Sequence, residues 1–263
     1  MTVLAEALEM RDVSAGYGAS DIIASVTLQA ARGRITTIAG PNGAGKSTLM
    51  KTLVGLLPPR RGEIVIDGRD ITQLSPSQRA LAGLGYVPQE RNVFKNLTIG
   101  ENLRIGFEFI RRKAAEKEFR ASRDRVLDLF PDLSERLGEV AGTLSGGQRQ
   151  MLAMGCALIP GPSTLLLDEP SAGLSPRYVT TMLDAVAAVN RAGVTVIMIE
   201  QNLIEAMRIS HDVILLVSGG IRGKWDAPAF LADPAVRSLF LGGTKANTRG
   251  SEPERISDDA SAA

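Results

Sequence analysis

The sequence predicts an α/β fold: a phosphate-loop parallel sheet flanked by helices, with an antiparallel β edge and a helical subdomain insertion. Three observations predict it. Short apolar runs at 35–39, 164–167 and 194–199, bounded by Gly, Pro or acidic residues, read as strands buried on both faces. Helix-like stretches at 46–56 and 176–192 alternate with them, as the crossovers of a parallel sheet require. A glycine-rich turn follows the first run and opens the first helix.

Two regions depart from that rhythm. Residues 3–34 and 62–72 are strand-like with turn signals, Gly16-Tyr17-Gly18 and Asp67-Gly68, and predict the antiparallel edge. Residues 99–140 are rich in Arg, Lys, Glu and Ala. There Leu103, Phe107 and Ile110 follow i, i+4, i+7, and Val126, Leu129 and Phe130 follow i, i+3, i+4, with one helix stopped at Pro131. This predicts one domain over 1–243, with a core of 1–88 and 145–243 and a helical subdomain at about 89–144. The tail 244–263 is polar, lacks apolar periodicity and reads as disordered. No internal repeat is visible.

Composition narrows the classes of function. Of 263 residues, 44% are hydrophobic, enough for a sizeable core. Lys+Arg number 30 against 29 Asp+Glu, a net charge of +1, which removes the general electrostatic argument for nucleic acid as a partner. In the insertion Arg111, Arg112, Lys113, Lys117, Arg120, Arg123 and Arg125 are interleaved with Glu116, Glu118 and Asp124, the pattern of a solvated helix face. One cysteine, Cys156, and one histidine, His211, exclude an internal disulfide and Cys- or His-rich metal clusters. No apolar run approaches the roughly 18 residues of a membrane span. The N-terminus carries Glu6, Glu9 and Asp12 and does not read as a secretion signal, so a soluble intracellular chain is expected.

Gly40-Pro41-Asn42-Gly43-Ala44-Gly45-Lys46-Ser47-Thr48 fits the pattern G-x-x-x-x-G-K-[ST]. It stands after a strand and before a helix, as that pattern requires. Glycines let successive backbone N–H groups turn inward on phosphate oxygens, and the helix N-terminus adds its positive end. Lys46 is expected to reach the β- and γ-phosphates and Ser47 to ligate Mg²⁺. Binding of ATP with Mg²⁺ is the expectation.

The run 164–167 ends in Asp168-Glu169-Pro170, placing two carboxylates where ligands of open α/β sheets sit. Asp168 is suited to hold Mg²⁺, and Glu169 to polarise the attacking water as general base. Alone, such a pair is as well read as a solubilising edge.

Leu144-Ser145-Gly146-Gly147-Gln148, upstream of Asp168, resembles the signature of ABC-transporter ATPases. Tyr17, the phosphate loop, Gln89 within Tyr86-Val-Pro-Gln-Glu90, the signature and Asp168-Glu169 stand in that family's order from about residue 8 to 242. The resemblance implies a RecA-like ATPase core working as a pair of cassettes, each ATP lying between one phosphate loop and the opposite signature. In that arrangement Ser145, Gly146, Gly147 and Gln148 meet the γ-phosphate of the partner's nucleotide, Tyr17 stacks on adenine, and Gln89 contacts the Mg²⁺ and water region. Taken alone, the pentapeptide reads as a linker, Tyr17 as a turn residue and Gln89 as a surface residue. The helical insertion is then the part that docks on a membrane partner.

Two positions depart from the family's usual pattern. Gln201 stands where a histidine usually contacts the γ-phosphate, and Ser175 where many relatives carry Asp. His211 lies too far along to take that place. A Gln amide still donates to phosphate but cannot take up charge. Both departures are similar to one branch, the LivF-type ATPases of branched-chain amino acid importers, as are the segments 86–94, 97–103, 200–202, 231–234 and 240–242. The implied assembly has a second, non-identical ATPase, two permease subunits and an external solute-binding protein, with this chain on the cytoplasmic face of the inner membrane. Importers of urea or short amides and lipid exporters are the nearer alternatives. A non-transport ATPase is the distant one.

Overall fold

The computed structural model describes residues 5–90, 92–111 and 114–240, with the side chains of residues 237 and 238 excepted. The chain opens with β1 (Glu6–Ala15) and β2 (Ile23–Ala31), followed by β3 (Ile35–Ala39) and α1 (Lys46–Val54). Then come β4 (Arg61–Ile66), β5 (Arg69–Asp70), α2 (Pro76–Leu81) and β6 (Leu84–Val87). The insertion holds α3 (Ile99–Ile110), α4 (Glu116–Leu129) and α5 (Pro131–Ser134) and leads into α6 (Gly146–Leu158). The chain ends with β7 (Thr164–Asp168), α7 (Pro176–Arg191), β8 (Thr195–Ile199), α8 (Leu203–Met207), β9 (Asp212–Val217), β10 (Gly220–Asp226), α9 (Ala227–Ala232) and α10 (Pro234–Phe240).

Two sheets result. The larger runs β10-β9-β3-β8-β7-β6 and is parallel throughout except for β10, which turns back on β9. Alternate residues of its inner strands feed different cores. Leu165, Leu167, Val196, Met198, Val213 and Leu215 join the core shared with the insertion and α6 and α7. Leu166, Ile197, Ile199, Ile214 and Leu216 join the core around α1 and the other sheet. Both faces are apolar, which is why these strands read as unbroken runs.

The strands expected at 3–34 and 62–72 form an antiparallel sheet of their own, in the order β2-β1-β4-β5. Asp67 and Gly68 have φ of 49° and 78°, the mirror-image turn that a two-residue hairpin needs between β4 and β5. The helix expected at 46–56 stops at Val54, because Gly55 caps it in the left-handed conformation with φ of 82°. The tail 244–263, for which disorder was expected, lies outside the described residues, as do Arg112, Lys113 and residues 241–242.

In the insertion Leu103 and Phe107 of α3 and Val126 and Phe130 at the end of α4 are buried, as their spacing implies, while Ile110 and Leu129 are only partly covered. Pro131 ends α4 and begins α5. Gly106 lets α3 lie directly on α6: a Cβ there would stand 2.7 Å from the Cys156 carbonyl oxygen. The insertion closes on itself where the Ala141 N–H donates to Leu97 O at 2.8 Å and the Ile99 N–H to Glu139 O at 2.9 Å.

Arg79 of α2 is 1% exposed, yet its guanidinium has four carbonyl partners. It donates to Thr52 O and Leu53 O in the last turn of α1, at 2.7 and 2.6 Å, and to Thr72 O and Leu74 O at 2.8 and 3.0 Å. This satisfies carbonyls that a helix C-terminus leaves open and sets a cation at its negative end.

Candidate functional site

After β3 the chain curls through residues 40–45 into α1 at the C-terminal edge of the parallel sheet. Gly40 has no room for a side chain, since a Cβ would stand 2.2 Å from the Leu216 carbonyl oxygen. Gly43 and Gly45 adopt φ of 79° and 100°. The curl is anchored where the Ala44 N–H donates to Pro41 O at 3.2 Å and the Gly219 N–H to Ala44 O at 2.9 Å. Among the described residues no protein acceptor takes the N–H groups of Gly43, Gly45, Lys46 or Ser47. A row of donors is thus open at the positive end of α1.

Asn42 and Ser47 are exposed, whereas Lys46 and Thr48 are buried. The Lys46 ammonium donates to Gly40 O at 2.8 Å and Pro41 O at 3.0 Å. Burial pulls its pKa below the ordinary lysine value, against the opposing charges of Glu169 and Asp168.

Asp168 ends β7, and both it and Glu169 are 8% exposed. Burial first, and the neighbouring Glu169 charge second, hold the Asp168 carboxyl above the usual range, against Lys51, Lys46 and a hydrogen bond from Tyr86. The Tyr86 hydroxyl, on the adjacent β6, is pushed up to about 12 by burial and by Asp168. Glu169 sits at φ of 51°, a conformation non-glycine residues rarely adopt, with its N–H donating to Ile199 O at 3.0 Å. Gln89, just beyond β6, donates from Nε2 to Glu169 Oε2 at 3.0 Å. Gln201, just beyond β8, donates from Nε2 to the same oxygen at 2.7 Å. Both glutamines singled out from sequence therefore meet on one carboxylate.

The donor set fits a nucleoside triphosphate with its metal. Open N–H groups and an ammonium suit phosphate oxygens, and the Ser47 hydroxyl, the Asp168 carboxylate and the Gln89 amide oxygen are the hard oxygen ligands that Mg²⁺ prefers.

Ser145-Gly146-Gly147-Gln148 is a capped helix start rather than a linker. Ser145 Oγ accepts from the Gln148 N–H at 3.3 Å, and Gln148 Oε1 accepts from the Ser145 N–H at 3.1 Å. A Cβ on Gly147 would meet the Tyr178 ring at 3.0 Å, and one on Gly146 would meet Leu174 at 3.5 Å. The turn packs on the loop after Asp168-Glu169 and on α7; among the described residues no hydrogen bond joins it to the phosphate loop of its own chain. Tyr17 is half exposed in the turn between β1 and β2, where its carbonyl accepts from the Ser20 N–H at 3.3 Å, and Lys51 Nζ lies 5.9 Å from its ring centroid. Ser175 precedes α7 and makes no side-chain cap. His211 stands away from the group, directly before β9, its Nδ1 accepting from the N–H of Ile35 at the start of β3 at 3.0 Å.

Sequence reasoning did not single out Tyr86 or Lys51, nor the pair Ser171 and Glu200. Glu200 is 2% exposed and accepts from the Ser171 N–H and Oγ. Burial raises its carboxyl above the ordinary glutamate value, against hydrogen bonds from Ser171, Asn202 and Gln201. The one available signal was a charged residue directly after the predominantly apolar run 194–199.

Comparison with known proteins agrees with this geometry. Residues 23–172 match the family model described as ABC transporter. The chain is 39% identical over 236 residues to a high-affinity branched-chain amino acid transport ATP-binding protein of Pseudomonas aeruginosa, covering 90% of this chain and 100% of that one. It is 38% identical over 231 residues to a probable branched-chain amino acid transport ATP-binding protein of Archaeoglobus fulgidus, covering 88% and 96%. A crystal structure of the ADP conformation of an ATP-binding cassette superposes with a TM-score of 0.81 at 27% identity, over 90% of this chain and 99% of that one. With the fold, the phosphate loop and the match all in one order along the sequence, the chain belongs to the ABC transporter family.

Proposed function

We propose that the chain is the ATP-hydrolysing subunit of an importer for branched-chain or related amino acids, peripheral on the cytoplasmic face of the membrane. The observation that carries the hydrolytic part is the Glu169 carboxylate, held by two amides beside an open phosphate cradle. Support for the solute comes from relatives whose names state branched-chain amino acid transport, at 39% and 38% identity over nearly the whole of their length.

Lys46 and the N–H groups of residues 40–48 bind the phosphates, and Tyr17 stacks on adenine. Mg²⁺, held by Ser47, Asp168 and Gln89, supplies charge neutralisation at the phosphates. Glu169 aligns a water and accepts its proton, while Gln201 donates toward the γ-phosphate. Ser145, Gly146, Gly147 and Gln148 serve the nucleotide of a second cassette, which need not be identical to this one. Catalysis on this reading is mainly positioning and electrostatics.

Among the described residues no helix is long and apolar enough to cross a membrane, so two permease subunits are proposed to carry the solute, fed by an external binding protein. A groove of about 630 Å³ between α3 and the β6 edge supports a docking role for the insertion. Its lining includes Leu56, Leu81, Phe94 and Phe109, each at least 59% exposed.

The test is to tag Glu169→Gln, trap it with ATP and purify it from native membranes, identifying its companions by mass spectrometry. Two multi-span permeases and a second ATPase are expected. Soluble companions alone would overturn the transport reading, and lipid-export components would replace import by export.

A further inference from the structure

Glu200 is a buried carboxylate without a cation. It is 2% exposed, and no Lys or Arg lies within salt-bridge distance among the described residues. Such a group costs stability that an apolar side chain of similar volume would not. Each of its oxygens has a partner on Ser171: Oε1 accepts from the Ser171 N–H at 2.9 Å and Oε2 from the Ser171 Oγ at 2.8 Å, beside the backbone of Gln201 and Asn202. Hydrogen bonds to an ionised acceptor are among the stronger ones, and two on one residue fix orientation as well as distance.

The two partners flank Glu169 in space. Ser171 follows it by two residues, in a turn closed by the Ala172 N–H donating to Glu169 O at 3.0 Å. Gln201, next to Glu200, donates to Glu169 Oε2 at 2.7 Å. The strand below is tied in as well, by the Glu169 N–H donating to Ile199 O. Glu169, Ser171, Glu200 and Gln201 thus form a closed ring of covalent and hydrogen-bonded links. The same loop runs on to Leu174, which packs against the Gly146 turn.

We propose that Glu200 is a positioning residue for hydrolysis: by clamping the Ser171 loop to the Gln201 turn, it fixes the Glu169 carboxylate between them. Glu200 is not itself a catalytic residue on this proposal. It acts through Gln201 on one side of Glu169 and through the loop backbone on the other. The role concerns the hydrolytic cycle alone and is independent of the solute carried.

The test uses the purified full chain and three variants, Glu200→Leu, which has no acceptor for either Ser171 group, Ser171→Ala and the two combined. Binding of a non-hydrolysable ATP analogue, followed by calorimetry, counts the folded competent sites, and kcat is expressed per such site. Misplacement of a reacting group by about 1 Å costs up to about 100-fold, so Glu200→Leu is expected to lower kcat at least about 10-fold while KM for ATP and analogue affinity stay within about twofold. Ser171→Ala, which removes only the hydroxyl bond, is expected to lower kcat less, and the double variant to be no worse than Glu200→Leu, since both changes break one link. A kcat per site within about twofold of wild type, a KM that rises in step with the loss, or losses that multiply in the double variant would each overturn the proposal. Should Glu200→Leu not fold, Ser171→Ala decides by itself, and an unchanged kcat there rejects the clamp.

Discussion

Gln201 Nε2 donates to Glu169 Oε2 across 2.7 Å, so the turn after β8 is joined through its side chain to the carboxylate after β7. A hydrogen bond to a charged group is worth about 1.5–3 kcal/mol, so Gln201→Ala should lower kcat by roughly 10- to 100-fold. Steady-state ATP hydrolysis measures this, and an unchanged rate would detach Gln201 from the chemistry.

Glu169→Gln should separate binding from turnover. The amide nearly preserves shape but cannot accept the water's proton, and loss of a general base costs about 10²- to 10⁴-fold. ATP affinity by calorimetry should remain near wild type. Near-normal hydrolysis would remove Glu169 from the role of base.

Lys46→Ala should weaken the cradle. Nucleotide at about 100 times its Kd stabilises a binding protein by about 2.7 kcal/mol, seen as a raised Tm. The variant should show little of that rise, whereas a shift equal to wild type would place the phosphates elsewhere.

Asp168 gives a pH signature. Its carboxyl is held above the ordinary value by burial and by Glu169, so the folded chain keeps a proton that the unfolded chain has released. That contribution favours folding at acid pH and is lost as pH rises through the raised value. Asp168→Asn, which does not titrate, should therefore gain Tm relative to wild type as pH rises above the ordinary aspartate value of about 3.9 and through the raised one. The gain is about 2–4 °C for each kcal/mol relieved. A difference in Tm that stays flat or shrinks with pH would contradict the assignment.

Phe109→Asp tests the groove. Phe109 is 59% exposed, so the change should leave Tm nearly unaltered and ATP binding intact while abolishing recovery of permease subunits with the tagged chain. Undiminished co-purification would move docking to another face.

Much of the fold was legible because its pattern is local. The runs at 35–39, 164–167 and 194–199 are apolar on both sides since each side feeds its own core. The cradle was legible because positive φ and a close carbonyl demand glycine at fixed spacing before a lysine. Distant pairings were not. β1 chooses β4 as well as β2, and nothing in either segment alone says that they form a separate sheet. Glu200 reaches back 29 residues to Ser171, and a charged residue beside a strand looks solvated until that contact is seen. The groove escaped notice because Leu81, Phe94 and Phe109 come from different segments and are apolar neighbours only in space.

The Arg79 contact at the far end of α1 constrains the order in which this sequence can change. A Cβ on Gly55 would stand 2.9 Å from Arg79 Nε and 3.1 Å from Leu74 O. Asn tolerates the left-handed conformation that Gly55 adopts, yet Gly55→Asn has no room while the guanidinium is in place. In an Arg79→Ala background the guanidinium no longer blocks that Cβ, though Leu74 O still stands 3.1 Å away and four carbonyls lose the arginine as a donor. The two positions are therefore epistatic: what a side chain at 55 costs depends on whether Arg79 is present, so either one changed alone weakens the end of α1.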